Sequence, residues 1–179
     1  MVVRAEDTAD DLERKARLAA ELGTWQATLT RWSERPSGLR PGWRHNTEDE
    51  RLLGVSLTGI LDNALTSGQH GESRLVTVLQ RCRAAAVAAN AEAAARIGIG
   101  RAAAVTCVKP SGTVSQLVDA ASGIHARHSR HYVRRVRGSN TDPLTQFLAT
   151  AGVPHEPCVY NRGSLVRSLS HGEEWPGCR

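Results

Sequence analysis

Val105-Thr-Cys-Val-Lys-Pro-Ser-Gly-Thr-Val-Ser-Gln-Leu-Val-Asp-Ala-Ala-Ser-Gly-Ile124 is the most informative stretch of this chain. It continues an apolar run that starts at Ala102, and such a run is typical of a buried strand in a parallel sheet. After Lys109 come hydroxyl residues and a glycine, and an apolar pattern restarts at Val114. The stretch therefore predicts a strand, a polar turn and a helix.

The turn after Lys109 offers donors that suit a phosphate. Backbone N–H groups at the start of a helix lack partners within the helix and lie at the positive end of its dipole. Ser111, Thr113 and Ser115 add hydroxyl groups, and Gly112 lets the backbone approach an anion without an intervening side chain. Two interpretations stay open from the residues alone: an anion site, or a hydroxyl that only caps a helix.

Patterns on either side of this stretch predict helices and strands in alternation. Apolar residues at spacings of three and four predict helices, and alternating apolar and polar residues predict strands. The order indicates an α/β fold with crossover helices rather than a helical bundle. In chain order we predict a helix over 7–33, a loop over 35–42, a strand over 53–58, a helix over 73–97, strands over 102–108 and 132–137 and a helix over 143–151, and we assign no structure to 161–179.

The two long helices have predicted buried faces. The face of the first is made of large apolar residues, namely Leu18, Leu22, Trp25, Leu29 and Trp32. The face of the second includes three alanines, which allow close approach to a neighbour, and consists of Leu75, Leu79, Cys82, Ala86, Ala89, Ala93 and Ile97. Gly98 is typical of a helix end, and Asp142 followed by Pro143 is typical of a helix start.

The composition limits the class of protein. With 179 residues the chain has room for one ordinary domain. Its apolar stretches are shorter than the roughly 20 residues that a membrane-spanning helix needs, and acids rather than an apolar leader follow Met1. We therefore expect a soluble chain of the cytoplasm with no membrane partner.

The positive charge is concentrated in one segment. The chain carries 23 Lys+Arg and 18 Asp+Glu, a net charge of +5. Five arginines and no acid lie between residues 120 and 141, so the whole excess belongs there, and basic segments often meet phosphate. These arginines are Arg127, Arg130, Arg134, Arg135 and Arg137.

Three motifs in this part of the chain resemble one enzyme family. Lys109-Pro-Ser-Gly-Thr-Val-Ser-Gln116, Ser122-Gly-Ile-His125 and Tyr132-Val-Arg-Arg-Val-Arg137 closely resemble the adenosylcobalamin-dependent ribonucleoside-triphosphate reductases, the class II ribonucleotide reductases of the monomeric type. The resemblance extends back through Leu52-Leu-Gly-Val-Ser-Leu-Thr-Gly-Ile60 and Gly23-Thr-Trp-Gln-Ala-Thr-Leu29.

The resemblance implies a fold and a domain organisation. It covers residues 7–157, which is most of this chain but only part of a family member. The family fold is a ten-stranded α/β barrel, so we expect a portion of that barrel. We expect a partial barrel domain over 1–158 and a divergent, irregular tail over 159–179.

The resemblance also implies a reaction and a role for the turn. The family replaces the ribose 2′-hydroxyl by hydrogen, which supplies deoxyribonucleotides for DNA replication. Adenosylcobalamin generates a thiyl radical on a cysteine, and a thioredoxin-type protein is the reductant of the complete enzyme. The turn corresponds to the loop that holds the phosphates of the ribonucleoside triphosphate, and its residues are Pro110, Ser111, Gly112, Thr113 and Val114.

The cysteines of this chain do not match those of the family. The radical cysteine belongs to a loop with a nearby Asn and Glu, and none of the four cysteines has an Asn-x-Cys-x-Glu neighbourhood. Cys178 stands alone, where the family has a terminal pair, and Cys158 precedes the divergent tail. Cys82 and Cys107 lie in apolar sequence and are expected to be buried. We therefore expect a fragment that is inactive alone and whose partner is the missing remainder of the reductase.

Two other functions stay open. A small nucleic-acid-binding module would use the arginines between Arg127 and Arg137 for phosphate and Tyr132 for stacking. A metal site would use His125, His128 and His131, which are spaced by threes. The acids at 48–50 are interpreted as solvated, and the role of Asp62 is left open.

Overall fold

The computed structural model describes residues 1–29, 40–129 and 131–171. The chain forms two units, Met1–Arg127 and His128–Arg179. The first contains helices α1 (Ala9–Gln26), α2 (Pro41–Glu50), α3 (Glu72–Ile97) and α4 (Val114–Leu117) and a 3-10 turn at Ile60–Asp62. The second contains β1 (Tyr132–Ser139), α5 (Pro143–Thr150), β2 (Glu156–Pro157) and β3 (Ser164–His171).

Alanine residues bring α1 and α3 together. Ala16 and Ala20 of α1 and Ala86 and Ala89 of α3 are buried in one core cluster. Because these side chains are small, the two helix backbones can lie close together along this contact. The predicted helix over 73–97 is confirmed, and it ends at Gly98, whose φ of 72° is left-handed.

The apolar stripe of α1 lies on the side opposite to this core. The exposed fractions of Leu18, Leu22 and Trp25 are 53%, 63% and 49%, while Ala16 and Ala20 are buried. We predicted that these large apolar residues form the buried face of α1, and that prediction is wrong within the described part of this unit. Hydrophobic periodicity locates an apolar face, but it does not say which neighbour covers that face.

The ends of α1 also differ from the prediction. The helix begins with a capping box, in which the Asp11 N–H donates to Thr8 Oγ1 at 3.2 Å and the Thr8 N–H donates to Asp11 Oδ2 at 3.1 Å. It ends at Gln26, so Leu29 follows the helix. The predicted continuation to residue 33, with Trp32, lies outside the described residues.

Three extended segments pair in parallel in the first unit. The Val55 N–H donates to the Val105 carbonyl at 2.9 Å, and the Val3 N–H donates to the Thr58 carbonyl at 2.9 Å. The pairing is parallel, as expected for an α/β fold. It is limited to isolated bridges, however, so the predicted strands over 53–58 and 102–108 are extended segments rather than regular strands. Val108 is exposed, contrary to the predicted buried strand.

The second unit is built on a three-stranded antiparallel sheet in the order β1-β3-β2. The strand predicted over 132–137 is confirmed and extends to Ser139. Helix α5 begins where predicted, because the Asp142 carboxylate accepts the Thr145 N–H at 2.8 Å. A Cβ at Gly138 would collide with Thr145, and the buried Arg167 donates to the Thr145 carbonyl, so α5 packs closely on the sheet.

Two elements of the structure were not predicted from the sequence. Strand β3 lies in the tail for which we predicted no regular structure, so that prediction is wrong for Ser164–His171. Helix α2 starts at Pro41, within the Pro-Gly segment that we interpreted as a loop, because proline is well suited to the first helical position. The remainder of that predicted loop, 35–39, lies outside the described residues. The two units divide after Arg127. The predicted domain boundary at 158 stays a prediction.

The acids at 48–50 lie on α2 and make surface pairs. Arg44 pairs with Glu48 at 2.9 Å and His45 pairs with Asp49 at 3.1 Å, all four side chains being largely exposed. Their geometry is that of a solvated helix surface. In the described ranges, no helix has the length and apolar character that crossing a membrane requires.

We predict that Asn90→Ala destabilises the first unit. Buried Asn90 donates to Thr24 Oγ1 at 2.9 Å and its amide oxygen accepts the Ala102 N–H at 3.0 Å, so it links α1, α3 and the third extended segment. Its loss leaves a partly buried N–H unpaired, which costs about 1–3 kcal/mol. Urea unfolding followed by circular dichroism measures the change. Glu92→Ala, which removes an exposed pair on the same helix, is the control and should change stability little. Equal effects of the two substitutions would contradict the prediction.

Candidate functional site

The predicted turn lies between the extended segment that ends near Cys107 and the single-turn helix α4. The Val114 N–H donates to the Ser111 carbonyl at 3.1 Å, and Thr113 occupies the N-cap position of α4. Pro110, Gly112, Thr113 and Val114 are exposed, and Ser111 is half-buried. We call residues 110–114 the candidate loop.

A network of serine hydroxyls supports the candidate loop from inside. Ser111 Oγ donates to Ser115 Oγ at 3.1 Å and lies 2.7 Å from Ser122 Oγ. Ser115 is fully buried. Neither Ser111 nor Thr113 caps α4 with its side chain, so the capping interpretation does not hold. The Ser111 hydroxyl instead ties the loop to the segment that follows α4.

Two backbone donors of the candidate loop belong to exposed residues. Gly112 has a left-handed φ of 54°, and a Cβ placed on it would meet nothing within 4 Å. Within 1–29, 40–129 and 131–171, the N–H groups of Gly112 and Thr113 have no hydrogen-bond acceptor. The loop therefore presents two adjacent N–H groups and the Thr113 hydroxyl at an open surface, an arrangement that suits an anion.

A buried carboxylate fixes the segment after α4. The Asp62 side chain, 5% exposed, accepts the Ala121 N–H at 2.7 Å and pairs with Arg127 at 3.2 Å. Arg127 also pairs with Asp119 at 2.8 Å. Partial burial by itself lowers the pKa of Arg127, but its hydrogen bonds to Asp119 and Asp62 raise that pKa above its ordinary value. Asp62, whose role was open from the sequence, thus anchors the chain next to Ser122.

Arg4 holds the same segment from another direction. Its guanidinium donates to the carbonyls of Asp119 and Val118, each at 2.7 Å. Asp119 has a left-handed φ of 46°, a conformation that costs free energy for a residue with a Cβ. The Arg4 and Arg127 contacts therefore hold a strained turn in place. We call Arg4, Asp62, Asp119 and Arg127 the charged clamp.

The described arginines of the basic segment lie in different surroundings. Arg127 belongs to the first unit and is paired within the charged clamp, while Arg134, Arg135 and Arg137 lie on β1 of the second unit. Side chains alternate along a strand, so Arg134 lies on the face opposite to Arg135 and Arg137. Arg130 lies outside the described residues. The described arginines of this segment are therefore divided between two units and, on β1, between the two faces of the strand.

The histidines do not form a metal site in the described part of the chain. No group of three or more His, Cys, Asp or Glu side chains there is placed to hold a metal ion. His125 Nδ1 lies 3.2 Å from the Ser122 carbonyl, and His128 and His131 are exposed.

Of the two cysteines that we predicted to be buried, one is buried and the other is exposed. Cys82 is buried as expected, and this burial raises the pKa of its thiol. Cys107 is exposed, so its predicted burial is wrong, because the apolar run emerges from the core before residue 108. Cys82, Cys107 and Cys158 are free thiols, and Cys178 lies outside the described residues.

Cys158 has a polar environment in the second unit. Burial on its own raises the pKa of this thiol, but hydrogen bonds from the N–H groups of Tyr160 and Asn161 and the nearby Arg137 guanidinium lower it below its ordinary value. The side chain is buried, so this environment orders the turn between β2 and β3.

The residue types in the sequence indicated the candidate loop but not the contacts that support it. Ser122 belongs to a motif that carried the resemblance, yet nothing in the spacing indicated that it contacts Ser111. Asp62 and Arg127 are 65 residues apart in sequence, so no local pattern could pair them.

The chain matches parts of several curated proteins, although no family model matches it. An adenosylcobalamin-dependent ribonucleoside-triphosphate reductase from Lacticaseibacillus paracasei is 39% identical over 61 residues, which is 34% of this chain and 8% of the relative. A reductase of the same name from Euglena gracilis is 32% identical over 119 residues, which is 65% of this chain and 16% of the relative. Another, from Lactobacillus delbrueckii subsp. bulgaricus, is 25% identical over 163 residues, which is 77% of this chain and 22% of the relative. The chain is related to part of this reductase.

A solved structure extends the similarity to the reductase fold. A B-12 dependent (class II) ribonucleotide reductase matches with a TM-score of 0.66 over 89% of this chain and 24% of that chain, at 22% sequence identity. The fold of this chain is therefore that of a part of the reductase. The chain spans only 8–22% of the length of the reductase relatives described above.

We predict that Asp62→Ala releases the segment after α4. The substitution removes the acceptor of the Ala121 N–H and one partner of Arg127, so amides of residues 118–127 should exchange with solvent at least about tenfold faster. Hydrogen exchange followed by mass spectrometry measures this. Asp10→Ala, which removes an exposed carboxylate paired with Arg81, is the control. Unchanged exchange over 118–127 in the Asp62 variant would refute the role of the clamp.

Proposed function

We propose that this chain is a segment of an adenosylcobalamin-dependent ribonucleoside-triphosphate reductase and that its candidate loop binds the substrate phosphates. The observation that carries the proposal is the geometry of the loop. Two adjacent N–H groups, from Gly112 and Thr113, are open to solvent, while the serine network fixes the loop from the inner side. The relation to the reductases supports the same assignment.

The five residues of the candidate loop take different parts in this proposal. Gly112 and Thr113 donate their N–H groups to phosphate oxygens, and the exposed Thr113 hydroxyl adds a third donor. The Ser111 hydroxyl is engaged with Ser115 and Ser122, so it positions the loop. Pro110 restricts the backbone before the turn, and the Val114 N–H closes the turn on Ser111. A preformed set of donors binds an anion with little reorganisation.

The remaining parts of the reaction belong to the complete enzyme. It would replace the ribose 2′-hydroxyl of a ribonucleoside triphosphate by hydrogen, with a thioredoxin-type reductant. Adenosylcobalamin, when bound, supplies the initiation of thiyl-radical chemistry. Among the described residues none is assigned to that cofactor, and the part that we propose for this chain is to hold the substrate phosphates. We assign the radical and shuttle cysteines to polypeptide outside these 179 residues.

We also propose that the protein acts in the cytoplasm with the ten-stranded barrel of its relatives completed by other polypeptide. Cys82, Cys107 and Cys158 are free thiols, which agrees with a reducing compartment. The parallel pairing of the extended segments agrees with strands of such a barrel. No observation favours the nucleic-acid-binding alternative, because the arginines that it requires are divided between two units.

We predict that Gly112→Ala weakens binding of inorganic triphosphate at least about tenfold. A Cβ at this position stands where a phosphate would approach the N–H groups. Gly98→Ala is a matched control, since Gly98 also has a left-handed φ and open space around its Cβ position, but lies at the end of α3. Isothermal titration calorimetry measures both dissociation constants. If the two variants bind equally well, backbone strain alone explains any loss and the loop assignment fails.

We expect the purified chain alone to form no deoxynucleotide. It would be incubated with adenosylcobalamin, a dithiol and a ribonucleoside triphosphate, and the products would be separated by liquid chromatography. The physical reason is the absence of an Asn-x-Cys-x-Glu radical loop from the sequence. Product formation by the chain alone would show that one of its own cysteines carries the radical.

A further inference from the structure

The hydrogen bonds of the serine network run in one direction. A serine hydroxyl carries one hydrogen, so it donates to one acceptor at a time. Ser115 Oγ donates to the Gly112 carbonyl at 3.5 Å, and it therefore accepts the Ser111 hydroxyl, 3.1 Å away. Because the Ser111 hydrogen is used in that contact, Ser122 is the donor in the 2.7 Å contact between Ser122 and Ser111. The chain of donors starts at Ser122 and ends on a backbone carbonyl.

This last acceptor belongs to the same peptide group as a proposed phosphate donor. The Gly112 carbonyl and the Thr113 N–H are the two ends of one peptide unit, and no cis peptide bond occurs in the described residues. In a trans peptide the C=O and N–H bonds point in opposite directions. Since the carbonyl is directed at the buried Ser115 hydroxyl, the Thr113 N–H is directed to the opposite side. Ser115 therefore sets the direction of this donor.

The hydrogen bond from Ser115 also makes the Thr113 N–H a stronger donor. A hydrogen bond to a carbonyl draws electron density from the amide nitrogen by resonance, so the N–H of that peptide becomes more polar. Successive hydrogen bonds strengthen one another by roughly 10–30% per bond. Ser111 and Ser122 polarise the Ser115 hydroxyl in this way. An anion benefits directly, because its negative charge is bound through the polarity of the N–H.

Both neighbours of Ser122 are held by the end of the central extended segment, so the first donor of the network is fixed in place. The buried Thr58 hydroxyl donates to the Ala121 carbonyl at 3.2 Å and accepts the Gly123 N–H at 3.4 Å. The Gly59 N–H donates to the same Ala121 carbonyl at 2.8 Å. Ser122 is thus held between two residues that hydrogen-bond the same threonine.

We propose that Ser115 and Ser122 are positioning residues for phosphate binding and that they act by orienting and polarising the Gly112–Thr113 peptide. This inference rests on the proposed function, because the ligand is the phosphate assigned to the candidate loop. Neither serine donates to the phosphate itself, since the hydrogen of each hydroxyl is used within the network. Their effect reaches the anion through the Thr113 N–H.

NMR of the carbonyl carbon tests the orientation without any ligand. Gly-Thr occurs twice in the sequence, at 23–24 and 112–113, so labelling glycine carbonyls with ¹³C and threonine with ¹⁵N gives two bonded pairs. We expect Ser115→Ala to move the Gly112 carbonyl signal upfield, because that carbonyl loses a hydrogen bond. The Gly23 carbonyl accepts the Ala27 N–H at 3.0 Å and is the internal control, whose signal should not move. An unmoved Gly112 signal would overturn the proposal.

Calorimetric titration with inorganic triphosphate measures the effect on binding. We expect Ser115→Ala to raise the dissociation constant about fivefold, as the loss of one hydrogen bond does. At Ser122, threonine keeps the hydroxyl, while valine has the shape of threonine without it. Ser122→Val should therefore weaken binding about threefold, and Ser122→Thr should bind like the unsubstituted chain. Ser67→Ala is the matched control, because Ser67 also donates to the carbonyl three residues before it, at 3.4 Å, but lies before α3.

Equal binding by Ser122→Val and Ser122→Thr, or an equal loss with Ser67→Ala and Ser115→Ala, would contradict the positioning role. Circular dichroism verifies that each variant folds. If the unsubstituted chain binds triphosphate and Ser115→Ala binds it equally well, the positioning role is wrong and the candidate loop stands. If the unsubstituted chain does not bind triphosphate although the Gly112 carbonyl signal responds to Ser115→Ala, the proposed function fails, and the phosphate role of both serines fails with it.

Discussion

Helices α1 and α3 pack against each other through alanines together with Leu12, Val78 and Cys82, and the rest of the first unit is arranged around that contact. Asn90 extends it by bonding Thr24 of α1 on one side and the Ala102 backbone on the other. The extended segment that begins at Ala102 is thereby held against the helix pair, and the candidate loop follows that segment. The position of an exposed loop thus depends on small side chains in the core, through a short series of direct contacts.

The loop has a second support, which lies in the segment after α4. The serine network bonds Ser111 to Ser122, and the charged clamp holds the residues just before Ser122 through Asp62 and Arg127. A site that binds a highly charged ligand gains from such support, since mobile donors would lose conformational entropy on binding. The buried Asp62 carboxylate is meanwhile paired with the Arg127 guanidinium.

The sequence predicts the ends of helices in this fold better than it predicts which faces of them are covered. The end of α3 at Gly98 and the start of α5 at Asp142 depend on local backbone chemistry, and both predictions are confirmed. The covered face of α1 was predicted wrongly, because Leu22 and Trp25 are more hydrophobic than Ala16 and Ala20 and yet lie outside the core. For the candidate loop, the residue types indicated hydroxyl donors. Only the contact with Ser122, 11 residues away, shows that the Ser111 hydroxyl is already engaged.

The turn at Asp119 limits how the sequence can vary there. Asp119 has a left-handed φ of 46°, a backbone conformation that glycine, asparagine and aspartate adopt more readily than β-branched residues. Its carbonyl also accepts a hydrogen bond from Arg4. An exposed position therefore tolerates few residue types, because its backbone rather than its side chain sets the requirement.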